Sequence, residues 1–111
     1  MLPRHYEVKA RVLKALAHPS RLAMADALAK GELCVCELRE LVGSDLSTVS
    51  KHLALMKAAG IVSDRKQGQQ VYYCLRVPCI LRFFDCIDAV LGDQVGALKA
   101  ARRAGRPRKV R

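Results

Sequence analysis

Two cysteines separated by a single residue, Cys34 and Cys36, are the side chains of this sequence best suited to chemistry. Thiolates are soft ligands for thiophilic ions, and they are also the groups that oxidants modify. The first residues lack the apolar core of a signal peptide, so we expect a cytoplasmic protein whose thiols stay reduced. Because five cysteines are an odd number, metal binding or redox sensing is favoured over a disulfide framework.

An ion held by this pair needs a further ligand, since thiophilic ions such as trivalent arsenic, cadmium and lead take more than two thiolates. The other cysteines are Cys74, Cys79 and Cys86, and each of them alone is more typical of a small core residue. Cys79 and Cys86 would lie about 10 Å apart along one helix, so they cannot share an ion. One of them could act across a dimer. We rank Cys79 first as the third ligand, because the start of a helix is accessible and deformable.

The elements that position these cysteines follow from the spacing of the apolar residues, which has a helical period over most of the chain. Pro19 suits the first turn of a helix, Gly60 suits the end of another, and two short strands flank Gly68 as a hairpin. The predicted order is helices 7–16, 19–30, 33–41 and 47–59, strands 61–66 and 70–75, and helix 79–91. This order predicts a mainly α fold with a β-hairpin wing, which is a winged helix-turn-helix.

The predicted helix 47–59 has two distinct faces. With Val49 at the centre of the buried face, Leu53 and Met56 fall beside it, while small polar residues and one cation point outward. That outer face suits the major groove of DNA, and the cations and amides of the hairpin suit phosphates and base edges. His52 lies near the buried face, where we expect it to pack or to form a hydrogen bond. The predicted DNA-binding residues are Ser47, Thr48, Ser50, Lys51 and His52 in the helix and Arg65, Lys66, Gln67 and Gln69 in the hairpin.

The positive charge is concentrated at the C-terminus. The net charge is +10, and 7 of the 20 Lys and Arg residues lie in positions 99–111. A polyanion such as nucleic acid is therefore the expected partner. We expect neither a membrane partner, because no apolar run is long enough to span a bilayer, nor a small organic substrate.

Residues 1–98 are predicted to form one domain, and 99–111 a disordered basic tail that adds non-specific phosphate affinity. Gly105-Arg106-Pro107 resembles the core of an AT-hook, although a match of three residues is weak.

The last predicted helix is apolar over more than half of its circumference. A small domain cannot cover so wide an apolar face from one side, so the sequence predicts a homodimer formed by the terminal helices. The apolar residues of this helix are Ile80, Phe83, Phe84, Ile87, Val90 and Leu91.

Several runs of residues resemble the ArsR/SmtB family of metal- and metalloid-responsive repressors, and the resemblance covers roughly positions 8–75. It implies a winged helix-turn-helix homodimer, not an enzyme, which represses transcription from operator double-stranded DNA until an inducer releases it. The runs are Leu16-Ala17-His18-Pro19-Ser20-Arg21-Leu22, Glu32-Leu33-Cys34-Val35-Cys36-Glu37-Leu38, Ser47-Thr48-Val49-Ser50-Lys51-His52-Leu53, Ala59-Gly60-Ile61-Val62, and Arg65-Lys66-Gln67-Gly68 followed by Val71-Tyr72-Tyr73.

In that family the paired cysteines are the metal box of the arsenite and cadmium/lead branches, so the resemblance implies that Cys34 and Cys36 are ligands. The arsenite branch often has a third cysteine where this chain has Arg39. The cadmium/lead branch adds cysteines from an N-terminal arm, and the residues before Leu16 in this chain include no cysteine. Other members bind zinc through Asp and His on the last helix, but this helix has Asp85 and Asp88 without His. We favour As(III) or Sb(III) as the inducer, with Cd(II) or Pb(II) as the alternative.

The spacing of the pair also predicts a switch. Residues two apart on an intact helix point about 200° from each other, so Cys34 and Cys36 either lie in a frayed first turn or bind an ion by unwinding the helix. Unwinding would distort the predicted helix 33–41, on which the predicted DNA-binding helix 47–59 packs. A thiol redox or persulfide switch stays open as an alternative. A thiol oxidoreductase is disfavoured because no strand-helix-strand pattern surrounds the pair, and a DNA-architectural protein with inert cysteines is the remaining alternative.

Overall fold

The structure, a computed structural model, describes residues 1–92 of the 111-residue chain. The predicted tail, 99–111, lies outside the described residues. The order of the elements confirms a mainly helical winged helix-turn-helix with a β-hairpin wing, and most predicted bounds agree within a few residues. The elements are α1 Arg4–Leu16, α2 Pro19–Leu28, β1 Leu33–Cys34, α3 Val35–Val42, α4 Leu46–Ala58, β2 Val62–Gln67, β3 Gln70–Leu75 and α5 Ile80–Leu91.

The helices α2, α3 and α4 pack around a small apolar core. Each contributes at least one side chain that is fully removed from solvent, and the first residues after α4 extend this core into β2. Because burial of apolar surface is the dominant favourable term in folding, these side chains fix how the helices cross. The largest of them are Met24 in α2, Leu38 in α3, Val49, Leu53 and Met56 in α4, Ile61 just before β2 and Val62 at its start.

The sheet contains a strand that the sequence pattern does not predict. The predicted helix from residue 33 is wrong for Leu33 and Cys34, which form β1 and pair with β3 because their backbone is extended. The sheet is antiparallel with the order β1-β3-β2. In its register Cys34 is paired with Tyr72, and Tyr72 is paired with Arg65. The cysteine segment is therefore an edge strand of the same sheet that forms the wing, β2–β3.

The helix α5 belongs to a second compact unit, which begins at Pro78, whereas α1 to β3 belong to a first unit, Met1–Val77. α5 presents several large apolar side chains to solvent: Leu81, Phe83, Ile87, Val90 and Leu91. None of the helices between residues 1 and 92 combines the length and the apolar character needed to cross a lipid bilayer.

Candidate functional site

The helix-turn-helix consists of α3, a tight turn and α4. The turn begins at Gly43, whose φ of 80° lies in the left-handed region that residues with a side chain avoid. Asp45 then caps α4, since its carboxylate accepts a hydrogen bond from the Thr48 N–H at 3.0 Å. Hydrogen bonding by Thr48 lowers the pKa of the Asp45 carboxyl, which therefore stays ionised beside the positive end of the helix. These two residues fix the direction in which α4 leaves the turn.

The two faces of α4 agree with the helical spacing of its sequence. Val49, Leu53 and Met56 have no exposed surface, which confirms the predicted buried face. On the opposite side three hydroxyl groups and one ammonium group reach solvent, and such donors can contact phosphates or base edges in a groove of DNA. The exposed residues are Ser47, Thr48, Ser50 and Lys51.

His52 differs from these four residues because it is half-buried against α2. Its Nδ1 accepts a hydrogen bond from Nη1 of Arg21 at 2.9 Å, and its ring lies 4.4 Å from the ring of His18, centroid to centroid. His18 in turn caps α2, where its Nδ1 accepts the N–H of Ser20 at 3.0 Å. The expectation that His52 packs and forms a hydrogen bond is confirmed, and a contact between His52 and DNA stays a prediction.

The wing places its polar side chains at the exposed end of the β2–β3 hairpin. Arg65, Lys66, Gln67 and Gln69 are all exposed, as DNA-binding residues must be. Gly68, with a φ of 64°, lets the chain reverse between the two strands.

The guanidinium of Arg65 forms hydrogen bonds with other side chains of the protein. Its Nε donates to Oε2 of Glu32 at 3.2 Å and its Nη2 donates to Oε1 of Glu32 at 2.7 Å, while Nη1 donates to the side chain of Gln67. The guanidinium lies 5.1 Å from the centre of the Tyr72 ring. Sequence reasoning missed Glu32 as the partner of Arg65, because it lies 33 positions from Arg65 and no local pattern connects them.

The cysteine pair spans the junction between β1 and α3. Cys34 is the last residue of β1 and the N-cap of α3, with an extended backbone at φ −82° and ψ 165°. Its side chain is only 9% exposed, whereas Cys36, in the first turn of α3, is exposed. The Glu37 carboxylate accepts the Cys34 N–H at 2.9 Å and so stabilises the start of the helix.

This geometry favours the first of the two predicted arrangements, in which the pair lies at the start of the helix. Because Cys34 precedes α3, the 200° separation of helical residues does not apply to the pair. Cys36 opens onto a shallow depression that includes Arg39 and the turn residues Gly43 and Ser44. The pair is therefore in direct continuity with the helix-turn-helix.

The other cysteines occupy three different environments. Cys74 is half-buried, with its Sγ 3.1 Å from Oγ of Ser63 on the neighbouring strand. Cys79, at the N-cap of α5, and Cys86 are exposed, so the expectation of core packing is wrong for both of them. Within residues 1–92 the structure arranges no group of three or more His, Cys, Asp or Glu side chains as a metal site. Cys79 as a third ligand stays a prediction.

A two-faced helix after a tight turn, followed by a hairpin with exposed cations, defines a winged-helix DNA-binding protein. A family model described as "Bacterial regulatory protein, arsR family" matches residues 18–64. The nodulation protein NolR of Rhizobium meliloti is 33% identical over 93 residues, which cover 84% of this chain and 76% of that protein. The chain belongs to the ArsR family of bacterial regulatory proteins and is a transcriptional regulator, not an enzyme.

Two further relatives carry metal or metalloid resistance in their names. The arsenic resistance transcriptional regulator ArsR1 of Pseudomonas putida is 46% identical over 87 residues, 78% of this chain and 65% of that protein. A homolog of the cadmium resistance transcriptional regulatory protein CadC of Staphylococcus aureus is 45% identical over 67 residues, 60% of this chain and 55% of that protein. The chain thus spans less than two thirds of the length of either resistance regulator.

Solved structures support the same fold. NolR from Sinorhizobium fredii superposes with a TM-score of 0.72 at 31% identity, covering 83% of this chain and 98% of that one. The homodimeric winged helix-turn-helix DNA-binding domain Mb0332 of Mycobacterium bovis superposes with a TM-score of 0.70 at 32% identity, covering 86% of this chain and 91% of that domain.

Proposed function

We propose that this chain is a cytoplasmic, homodimeric repressor that binds operator double-stranded DNA through α4 and the wing and is released by As(III) or Sb(III). Cys34 and Cys36 supply two of the thiolates, and Cys79 the third. The observation that carries the proposal is the position of the pair, where the wing sheet ends and the helix-turn-helix begins. A change of conformation there reaches both DNA-binding elements.

The choice of ion rests on the chemistry of the ligands and on the relatives. Two thiolate ligands favour a thiophilic ion over a hard cation such as magnesium. The relative named for arsenic resistance matches more of this chain, at similar identity, than the relative named for cadmium resistance. The latter supports Cd(II) or Pb(II) as the second candidate.

The test is a fluorescence anisotropy titration of the protein on its own upstream DNA, with arsenite, cadmium, lead and zinc added separately. We expect arsenite to lower the DNA affinity at least about fivefold, the lower range of allosteric coupling. Cys34→Ser and Cys36→Ser should abolish this release. Serine is a favoured N-cap, so Cys34→Ser keeps the start of α3.

The matched control is Cys86→Ser, which removes an exposed thiol outside the proposed ligand set and should respond as the wild type does. Release by cadmium or lead alone would move the proposal to the second candidate. Release by arsenite that survives Cys34→Ser would contradict the assigned ligands. If no ion releases the DNA, metal sensing is wrong.

A thiol redox or persulfide switch is the remaining alternative, supported by the exposed, free thiol of Cys36. In that case oxidant or persulfide, without any ion, would release the DNA. Mass spectrometry would then detect a disulfide or polysulfide bridge between Cys34 and a second cysteine, and reductant would restore binding.

A further inference from the structure

A row of side chains connects the cysteine segment to the wing. The register pairs Cys34 with Tyr72 and Tyr72 with Arg65, and residues paired in this way project from the same face of a sheet. Glu32 lies two residues before Cys34 and its carboxylate meets the Arg65 guanidinium on β2. The path from the cysteines to the wing therefore crosses three neighbouring segments and does not pass through α4.

The contact between Glu32 and Arg65 uses the geometry in which a guanidinium binds most specifically. Two parallel hydrogen bonds, at 3.2 and 2.7 Å, join the two carboxylate oxygens to Nε and Nη2. Tyr72 lies against the guanidinium, and Nη1 bonds to Gln67. All three nitrogens of Arg65 thus have partners in the chain. The hydrogen bonds lower the pKa of Glu32 and raise that of Arg65, so both groups stay charged at neutral pH.

A DNA phosphate that binds Arg65 side-on would need the same hydrogen-bonding edge, Nε and Nη2, that Glu32 occupies. Carboxylate and phosphate both accept the paired N–H groups of a guanidinium, and they compete for the same donors. While Glu32 holds that edge, the charge of Arg65 is neutralised inside the chain. Arg65 can bind phosphate in this bidentate way only after Glu32 has moved aside.

We propose that Glu32 is a positioning residue for Arg65 and that the pair, the Glu32–Arg65 latch, couples the cysteine segment to the wing. The closed latch withholds the Nε–Nη2 edge of Arg65 from phosphate, and operator binding opens it. An ion at Cys34 and Cys36 fixes the segment that carries Glu32, which favours the closed latch and weakens DNA binding. The coupling to the ion rests on the proposed function, whereas the competition between Glu32 and phosphate needs only DNA binding.

The latch is tested by comparing Glu32→Gln with Glu40→Gln. Each variant removes one negative charge, and Glu40 is exposed on α3, outside the row. A glutamine amide cannot accept two hydrogen bonds from a guanidinium in the bidentate geometry. In the NMR spectrum of the DNA-free protein, the Arg65 Nε–Hε signal, assigned by its loss in Arg65→Gln, should shift in Glu32→Gln and not in Glu40→Gln. An Arg65 signal that is unchanged in Glu32→Gln would overturn the latch.

The effect of the latch on DNA affinity is measured with the same two variants. Measured by anisotropy on the upstream DNA without inducer, Glu32→Gln should bind about two- to fivefold more tightly than Glu40→Gln, the range expected for an exposed ion pair of good geometry. In an Arg65→Gln background the Glu32→Gln change should have no further effect. Equal affinities of Glu32→Gln and Glu40→Gln, or a gain that persists without Arg65, would overturn the competition.

The coupling to the cysteines is tested by adding arsenite to the same samples. The factor by which arsenite weakens DNA binding should be smaller in Glu32→Gln than in the wild type and in Glu40→Gln. If all three respond equally, the coupling is wrong and the proposed function stands. If arsenite releases none of them, the proposed function fails, and the affinities measured without inducer still decide whether the latch exists.

Discussion

Two imidazoles and a guanidinium join the start of α2 to the middle of α4. The hydrogen bond from Arg21 to Nδ1 of His52 requires that this nitrogen carry no proton, because a guanidinium only donates. Protonation of His52 would therefore remove an acceptor and place a positive charge against Arg21. Burial, together with the neighbouring His18 and Arg21, lowers the pKa of His52 from its ordinary 6.5. The neutral ring is the form that anchors α4.

This contact makes stability depend on pH in a defined direction. Below pH 6.5 the unfolded chain binds a proton at His52 that the folded chain resists, so the free energy of unfolding should fall as the pH decreases from 6.5 through the folded pKa. Above pH 6.5 the contribution of the neutral His52 ring to the free energy of unfolding is fully present. In His52→Asn the amide oxygen can take the place of Nδ1 as the acceptor. Because an amide does not titrate, the pH dependence of the free energy of unfolding should weaken.

The measurement is urea unfolding at about pH 7.5 and about pH 5.5. His5→Asn is the control, because His5 is exposed on α1 and should leave the pH dependence of the wild type unchanged. A His52→Asn protein that loses as much stability on acidification as the wild type would contradict the assignment.

Among the elements, the helices and the wing were predictable because each extends over several periods of apolar spacing. The exposed face of α4 followed from the same spacing. β1 could not be predicted, since two residues are too few to show the alternation of a strand, and its pairing partner lies far along the chain. The contacts of Glu32 with Arg65 and of Arg21 with His52 span 33 and 31 positions. Only the folded chain brings such pairs together.

The packing of α3 leads to a prediction about the free energy of unfolding. Leu38 is completely buried where α3 meets α2 and α4. Leu38→Ala should therefore lower the free energy of unfolding by about 2–5 kcal/mol, through lost burial and the cavity that remains. Leu46→Ala is the control. Because Leu46 of α4 is 45% exposed, this change should lower the free energy of unfolding much less. Urea unfolding of both variants checks this, and equal losses would show that α3 is not anchored through Leu38.

For the whole molecule, the exposed apolar residues of the terminal helices support the proposed homodimer. Tyr6, Val8 and Leu13 are exposed on α1, and Phe83 and Val90 on α5. Scattered apolar residues are ordinary on a surface, but several on one helix mark an interaction surface. A second copy of the chain is the occupant we propose, and a structurally similar domain is a homodimer.

Val90→Glu should weaken this association, because Val90 is 84% exposed in the single chain and a carboxylate buried in a dimer would lack a partner. We expect the dimer dissociation constant to rise at least about tenfold, as measured by sedimentation equilibrium. Arg82→Glu introduces the same side chain at an exposed charged position of α5 and serves as the control. An unchanged dissociation constant in Val90→Glu would exclude this part of α5 from the interface.

The order of the strands has a consequence for the protein when it is away from DNA. β2 is the outer strand of the wing on the side opposite β1, so within residues 1–92 one side of its backbone has no strand beside it. An unpaired edge is a template for the strand of another molecule, and charged side chains, lysine above all, discourage such pairing. Arg65 and Lys66 lie on this edge. The cations proposed to hold DNA would thus also protect unbound molecules from aggregating through their wings.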